Sequence, residues 1–299
     1  MKILITGCKG QLGSELQRIL AAGKSELGPM PEKLQKATVI ASDLDTLDIA
    51  NRHEVAVFLR RHQPDVVINC GAYTNVDGCE ANSETAFKAN AIGPRNLAMA
   101  CAEIGAKLVH VSTDYVFSGD ATAPVCEYDA VAPKSVYGKT KLLGEQYVQQ
   151  FCTRFFIVRT AWLYGYQGNN FVKTMVKLGK ERGAISVVND QLGNPTNAVD
   201  LAHHILKLVV TKEYGVYHCT GKGICSWYDF AAEIIRLAGV NATVSPCTTQ
   251  EYQKMITKPG ADRPAYSALD NMMLRVSVGD EMRTWQDALK CYFKNWDGQ

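Results

Sequence analysis

The fold is decided by the stretch Lys2-Ile3-Leu4-Ile5-Thr6-Gly7-Cys8-Lys9-Gly10-Gln11-Leu12-Gly13. Its first residues, 2–6, form a short apolar run typical of a buried strand, and the glycines that follow permit a tight turn. Residues 11–21 carry leucine and isoleucine at helical spacing, which predicts an amphipathic helix. A strand, a glycine turn and a helix in this order bring backbone N–H groups to a pyrophosphate. The spacing Gly-x-x-Gly-x-x-Gly is looser than Gly-x-Gly-x-x-Gly, so the motif alone is weak evidence for a pyrophosphate site. The strand before it and the helix after it strengthen that prediction.

Strand-like and helix-like segments alternate along the rest of the chain. Runs rich in valine, isoleucine and leucine predict strands at 2–6, 38–42, 65–70, 107–112, 155–160, 185–188 and 215–218. Periodic segments predict helices at 11–21, 51–62, 83–104 and 136–149. Such alternation predicts an α/β fold, a Rossmann-type doubly wound parallel sheet with a smaller C-terminal α/β substrate-binding region. The Gly- and Pro-rich residues 23–31 are interpreted as a surface insertion between the first helix and the second strand.

The domain boundaries follow from where this pattern loses its regularity, near residue 161. We expect an NAD(P)-binding Rossmann domain over 1–160, to which later segments near 185–220 return. Residues 161–299 are expected to form mainly the substrate-binding domain. The sequence shows no long linker between these two regions and no internal repeat.

Composition excludes several classes of protein. With 32 basic and 30 acidic side chains, the chain has no global field that would attract nucleic acid. Its longest stretch without Asp, Glu, Lys or Arg, residues 237–250, has 14 residues and cannot span a bilayer. A secretory signal peptide is not expected, and ten cysteines without a Cys-x-x-Cys pair indicate reduced thiols in the cytoplasm.

Tyr137 and Lys141 are four residues apart in a predicted helix and therefore share one of its faces. A phenol is a poor proton donor or acceptor at neutral pH, but a nearby cation lowers its pKa toward the working range. The pair is therefore predicted to supply the acid for carbonyl chemistry, although Tyr-x-x-x-Lys alone also occurs by chance in ordinary helices.

Several blocks in order resemble the extended short-chain dehydrogenases/reductases that act on nucleotide-linked sugars. They are residues 3–7, 64–69, 72–77, 112–117, 188–191 and 226–230, followed by Gly260-Ala261-Asp262-Arg263-Pro264. The resemblance covers nearly the whole chain and narrows to members that reduce the C4 keto group of dTDP-4-dehydro-L-rhamnose to give dTDP-L-rhamnose, for polysaccharide biosynthesis. It implies NADPH or NADH as cofactor, a dTDP-linked 4-keto-6-deoxyhexose as substrate, and a monomer or homodimer.

The resemblance also implies which residues contact the cofactor. The expected set is Gly7, Gly10, Gln11, Leu12, Gly13, Asp43, Asp48, Ile49, Gly71, Ala72 and Tyr73, with Tyr137 and Lys141. Asp43 at the end of the second strand would accept a bond from the ribose 2′-hydroxyl and repel a 2′-phosphate, which favours NADH. Lys9 could attract that phosphate, so the choice between NADH and NADPH stays open.

Catalysis and sugar binding are assigned in the same way. Thr113 would hydrogen-bond the keto oxygen, Tyr137 would protonate it, and Lys141 would hold the nicotinamide ribose. The expected substrate contacts are Asp114, Tyr115, Trp162, Asn170, Gln191 and Arg263. Trp162 is alternatively a core residue, and Asn170 and Gln191 are alternatively capping or loop-stabilising residues.

One position departs from the resembled enzymes, some of which form a dimer around a metal held by glutamates. This chain has Val199 at a matching position, so we expect no metal, and we interpret Glu15 as a solvated helix residue. Two other functions stay open: a nucleotide-sugar epimerase or dehydratase, and a non-catalytic regulatory subunit of methionine adenosyltransferase.

Overall fold

A parallel sheet of six strands forms the centre of the molecule, which the computed structural model describes over residues 1–255 and 260–296. In chain order the strands are β1 (Lys2–Thr6), β2 (Thr38–Ser42), β3 (Val66–Asn69), β4 (Lys107–Thr113), β5 (Phe155–Thr160) and β6 (Gly215–His218). They lie in the order β6-β5-β4-β3-β1-β2. Strand β1 therefore lies between β2 and β3, and the chain leaves it in opposite directions across the sheet. In sheets of this kind the ligand binds outside the carboxyl ends of the strands at such a switch point.

Helices cover both faces of this sheet, which confirms the predicted fold class. They are α1 (Gln11–Ala22), α2 (Arg52–His62), α3 (Gly93–Ile104), α4 (Val136–Phe151), α5 (Phe171–Arg182), α6 (Ala198–Val209), α7 (Trp227–Leu237) and α8 (Trp285–Asn295). Alternate residues of β1 explain the two layers: Ile3 packs with α1 and α6, whereas Leu4 packs with α2 and α3. Among the described residues, no helix is long and apolar enough to cross a membrane.

A second apolar cluster lies in the C-terminal part of the chain. It joins α5, α7 and α8 through Val172, Phe230 and Leu289. A two-stranded parallel sheet, Ala184–Val188 with Thr243–Cys247, borders it. The segment near 185 thus pairs outside the central sheet, and the return to that sheet begins with α6 and ends with β6.

The predicted helix over 83–104 is divided into three segments. Ser83–Phe87 and α3 are α-helical, whereas Lys88–Ile92 forms a π-helix between them. At this bulge, Asn90 Oδ1 accepts a bond from the backbone N–H of Tyr73 at 2.8 Å, and its Nδ2 donates to the Tyr73 carbonyl at 3.1 Å. The bulge therefore fixes the segment that follows β3, consistent with the placement of π-bulges at functional sites.

The insertion at 23–31 is more than a surface loop. It forms a small hairpin of Lys24–Ser25 and Gly28–Pro29, and Met30 is buried beneath it. Glu26 accepts a bond from the hydroxyl of Tyr166 at 2.7 Å and pairs with Arg283 at 2.9 Å. These contacts tie the insertion to the C-terminal part of the chain, which the local sequence could not reveal.

Candidate active site

The glycine turn after β1 forms a narrow cradle at the switch point. Gly7 adopts a left-handed φ of 65°, and a Cβ there would overlap the backbone of Gly71 after β3. A Cβ at Gly13 would overlap the carbonyl oxygen of Gly7. Only glycine therefore allows these segments to approach so closely, and α1 begins directly at this turn. The cradle fits a pyrophosphate, which the backbone N–H groups at a helix start bind well.

Leu12 and Gln11, both predicted to contact the cofactor, contribute differently to this turn: Leu12 through its backbone and Gln11 through its side chain. The side chain of Leu12 is buried in the core beneath α1, so only its backbone faces the turn. Gln11 Oε1 accepts a bond from Asn170 Nδ2 at 3.1 Å. This bond joins the turn to α5, whose N-terminus is capped by Asn170.

The turn after β2 lies beside the glycine turn. Asp43 Oδ2 accepts the backbone N–H of Lys9 at 2.9 Å, and its Oδ1 accepts that of Leu44 at the same distance. The Lys9 ammonium pairs with Asp45 at 2.7 Å. Both residues that the sequence set in opposition are therefore present here, together with a third, Asp45, that it missed.

The segments after β2 and β3 form the next part of the site. Asp48 Oδ1 accepts the N–H of Ala50 at 2.9 Å and so shapes the turn that leads to α2. The Ile49 side chain lies against Gly93 and close to Gly71. Ala72 and Tyr73 follow Gly71 and are partly exposed, which leaves this edge open to a ligand.

Thr113, Tyr137 and Lys141 meet at the carboxyl end of β4. Thr113 is the last residue of that strand, and Tyr137 and Lys141 lie one turn apart at the start of α4. Ser135 begins this helix by accepting the N–H of Gly138 at 3.1 Å, and a Cβ at Gly138 would overlap the carbonyl of Tyr115. Close packing of α4 on the segment after β4 therefore places the phenol beside Thr113.

The ionisation of this trio differs from the expectation. Burial raises the pKa of Tyr137, and a hydrogen bond with Thr113 only partly offsets the rise. Burial also lowers the pKa of Lys141 to about 8, with Glu145 opposing the change. The Lys141 Nζ donates to the carbonyl of Val111 at 2.6 Å. The lowered phenol pKa predicted from the spacing was therefore wrong for this structure, because burial dominates and the Lys141 ammonium bonds the Val111 carbonyl.

Asp114 is a buried carboxyl beside this trio. Its Oδ1 accepts the hydroxyl of Thr113 at 2.8 Å. Burial raises its pKa to about 6, against the hydrogen bond from Thr113. Tyr115 follows and meets the Tyr137 ring edge to face, with centroids 5.4 Å apart.

The other predicted sugar contacts have protein partners of their own. Trp162 has a left-handed φ of 47° and stacks on Trp227. Gln191 is buried and donates to Thr249 Oγ1 at 3.0 Å. Arg263 pairs with Asp77 at 2.9 Å. Asn170 and Gln191 therefore have the structural roles that the sequence left open beside sugar binding.

Three neighbours of the site escaped the sequence analysis, namely Asp45, Asp77 and Trp227. Each lies far along the chain from its partner, so no local pattern linked them. Glu15 was also misjudged: it is buried and pairs with Arg18, and burial raises its pKa. Its spacing of three and four residues from Leu12 and Ile19 on α1 was the available signal.

Fold and geometry together define a class of protein. A parallel sheet with a glycine turn at its switch point, and with Thr113, Tyr137 and Lys141 at a neighbouring strand end, defines a dinucleotide-dependent oxidoreductase of the extended short-chain dehydrogenase/reductase type. Within that class, the chain belongs to the RmlD substrate binding domain family, whose pattern it matches over residues 1–297.

Similar proteins agree with this placement. The crystal structure of a dTDP-4-dehydrorhamnose reductase from Clostridium acetobutylicum ATCC 824 is 50% identical, with a TM-score of 0.91 over 98% of this chain and 99% of that one. The dTDP-4-dehydrorhamnose reductase of Bacillus anthracis str. Ames, solved in complex with NADP, is 42% identical, with a TM-score of 0.89 and 98% coverage of both chains. The spore coat polysaccharide biosynthesis protein SpsK of Bacillus subtilis (strain 168) is 39% identical over 98% of this chain and 97% of its own length.

Proposed function

We propose that this protein reduces the C4 keto group of dTDP-4-dehydro-L-rhamnose to give dTDP-L-rhamnose, with NADPH or NADH as the reductant. The observation that carries the proposal is the meeting of Thr113, Tyr137 and Lys141 beside the glycine cradle. The names and the NADP complex of its relatives support the substrate and the cofactor. Ten free thiols, all in the described residues, are consistent with a reducing cytoplasm.

The proton needed for the reduction comes from Tyr137. When bound, the reduced nicotinamide supplies a hydride to the keto carbon, and the oxygen on that carbon must then be protonated. Because burial raises the pKa of Tyr137, its phenol holds its proton at neutral pH and can donate it to the developing alkoxide. The hydroxyl of Thr113, beside the phenol, exchanges its bond to Asp114 Oδ1 for one to the same oxygen and so orients it.

Lys141 stabilises the product of that proton transfer. A phenolate left on Tyr137 in a buried site is costly, and the ammonium of Lys141 one helical turn away offsets the charge. A buried ion pair holds the helix in place: Glu145 on α4 binds Arg159 on β5 at 2.7 Å. We also assign the Lys141 ammonium to the nicotinamide ribose.

The cofactor and the sugar are assigned to different parts of the chain. We assign the dinucleotide to residues 1–160, through Gly7, Gly10, Gln11, Leu12, Gly13, Asp43, Asp48, Ile49, Gly71, Ala72 and Tyr73, with α6 and β6 completing that layer. Residues 161–299 supply most of the sugar site. There Trp162 offers an aromatic face to the deoxysugar, and Arg263 offers a guanidinium fork to the diphosphate.

The test is incubation of the protein with NADPH and a panel of nucleotide-linked 4-keto sugars, with loss of nicotinamide absorbance as the signal. We expect oxidation of NADPH only with dTDP-4-dehydro-L-rhamnose, and NMR of the product should show dTDP-L-rhamnose. Tyr137→Phe is the control, with turnover lowered by on the order of 10²-fold and NADPH binding retained. Turnover only with GDP- or UDP-linked sugars would overturn the substrate, and purification with stoichiometric NAD would favour an epimerase instead.

A further inference from the structure

Lys9 and Asp45 form an ion pair at the edge of the glycine cradle. The Nζ–Oδ2 distance is 2.7 Å, and the two side chains are 67% and 60% exposed. Lys9 belongs to the turn after β1, and Asp45 belongs to the turn after β2. The adenosine ribose binds at the carboxyl end of the second strand in dinucleotide folds, so this pair borders the position of the 2′ substituent.

Asp43 has a structural role in addition to the ribose contact that we assign to it. Its two carboxylate oxygens accept the backbone N–H groups of Lys9 and Leu44. It therefore ties the glycine turn to the turn after β2. Removal of Asp43 would loosen the cradle for either cofactor, so its loss would not report on cofactor choice alone.

We propose that Asp45 sets the preference between NADH and NADPH by competing with a cofactor 2′-phosphate for the ammonium of Lys9. The proposal rests on the proposed use of a nicotinamide dinucleotide. With NADH the Lys9–Asp45 pair persists. With NADPH the ammonium exchanges Asp45 for the phosphate, and the Asp45 carboxylate then lies unpaired near a second anion.

Charge and exposure make this exchange feasible. An exposed ion pair contributes little to stability, so its disruption costs little. A phosphate carries more charge than a carboxylate and offers more acceptor oxygens to an ammonium. Two carboxylates, those of Asp43 and Asp45, lie near the single ammonium of Lys9. Burial raises the pKa of the Cys8 thiol in the same turn, and Asp43 and Asp45 add to that rise while Lys9 opposes it. The net negative charge of these side chains therefore disfavours binding of a phosphate as long as Asp45 is charged.

The experiment measures binding rather than turnover. Calorimetric titrations with NADPH, NADH, adenosine 2′,5′-bisphosphate and 5′-AMP compare the native chain with Asp45→Asn, Lys9→Gln and the double variant. We expect Asp45→Asn to tighten binding of NADPH and the bisphosphate by roughly threefold to tenfold, with NADH and 5′-AMP nearly unchanged. Lys9→Gln should weaken only the 2′-phosphorylated ligands, and in its background Asp45→Asn should have a smaller effect. These differences should shrink as salt is raised.

The matched control is Glu103→Gln, which breaks the exposed pair between Arg60 and Glu103 at the far ends of α2 and α3. It should leave every affinity unchanged. Equal changes in NADPH and NADH affinity on Asp45→Asn, or none, would overturn the role of Asp45. If neither dinucleotide binds the native chain, the proposed function itself fails, so the two failures are distinguishable.

Discussion

Trp162 lies flat against Trp227, with ring centroids 3.5 Å apart and ring planes 9° apart. Phe171 packs on the same Trp227 ring at 4.5 Å. The backbone of Trp162 is left-handed, which is rare for a bulky side chain and costs roughly 1–2 kcal/mol. Stacking of about 0.5–1.5 kcal/mol beyond the buried area offsets much of that cost. Trp227 therefore fixes the orientation of the residue that we assign to the sugar.

Trp227→Ala should weaken sugar binding without affecting the dinucleotide. We expect KM for the dTDP-sugar to rise about fivefold to tenfold, since Trp162 loses its support, while the affinity for NADPH stays unchanged. The chain has only four tryptophans, so circular dichroism from the coupled indoles should diminish in parallel. Trp227→Phe, which keeps a stacking ring, is the milder control. Loss of the dichroism with an unchanged KM would remove Trp162 from the sugar site.

The pH dependence of turnover should report on Lys141. Its pKa is lowered to about 8, so the ammonium loses its proton as the pH rises through that value. Below it, the charge that stabilises a Tyr137 phenolate is present, and above it that charge is lost. We therefore expect kcat/KM to fall above about pH 8. Arginine keeps its charge in this pH range, so the decline should disappear in Lys141→Arg. If Lys141→Arg shows the same decline, the decline belongs to another group.

Asp114 should make the protein less stable as the pH rises from 4 to 6. Its folded pKa of about 6 lies above the ordinary 3.8, so in this window the folded state binds more protons than the unfolded state. The stability present below pH 4 is therefore lost by about pH 6, a change of about 3 kcal/mol. The test is urea unfolding of the native chain and Asp114→Asn at pH 4 and pH 7. Relative to the native chain, the free energy of unfolding of Asp114→Asn should be higher at pH 7 than at pH 4. A difference between the two proteins that does not vary with pH would contradict the burial argument.

Local features of this molecule were predictable, because the residues that produce them are close in sequence. The turn at Gly7, the start of α4 and the Tyr137–Lys141 spacing all lie within one or two turns of chain. The positions of the six central strands and of α1, α2 and α4 were predictable from apolar periodicity, whereas the order of the strands in the sheet was not. The π-helix at Lys88–Ile92 was missed because apolar periodicity does not distinguish it from an α-helix, and the contact of Asn90 with Tyr73 has no local signature.

Relationships across the chain could not be predicted in this way. The partners of Lys9, Trp162 and Arg263 are 36, 65 and 186 residues away in sequence. Ionisation was misjudged for a related reason: the Tyr137 pKa depends on how much protein surrounds the phenol, and a single sequence gives no measure of that burial. The proposed catalytic residues were therefore easier to predict than the contacts and the burial that set their orientation and pKa.

The glycines of the cradle should differ in their tolerance of alanine. A Cβ at Gly13 would overlap the carbonyl oxygen of Gly7, which is backbone and cannot move aside without deforming the turn. A Cβ at Gly10 would meet the same oxygen at 3.3 Å, where a shift of a few tenths of an ångström suffices, and the Gly10 φ of −76° suits any residue. We expect Gly13→Ala to lower the thermal midpoint and to weaken binding of NADPH and NADH alike by about tenfold or more, because both share the pyrophosphate. Gly10→Ala, the matched control for folding, should keep a thermal midpoint close to that of the native chain, and in calorimetric titration it should weaken dinucleotide binding less than Gly13→Ala does. If the two variants bind the dinucleotides equally well, the close approach of Gly7 and Gly13 does not shape the cofactor site.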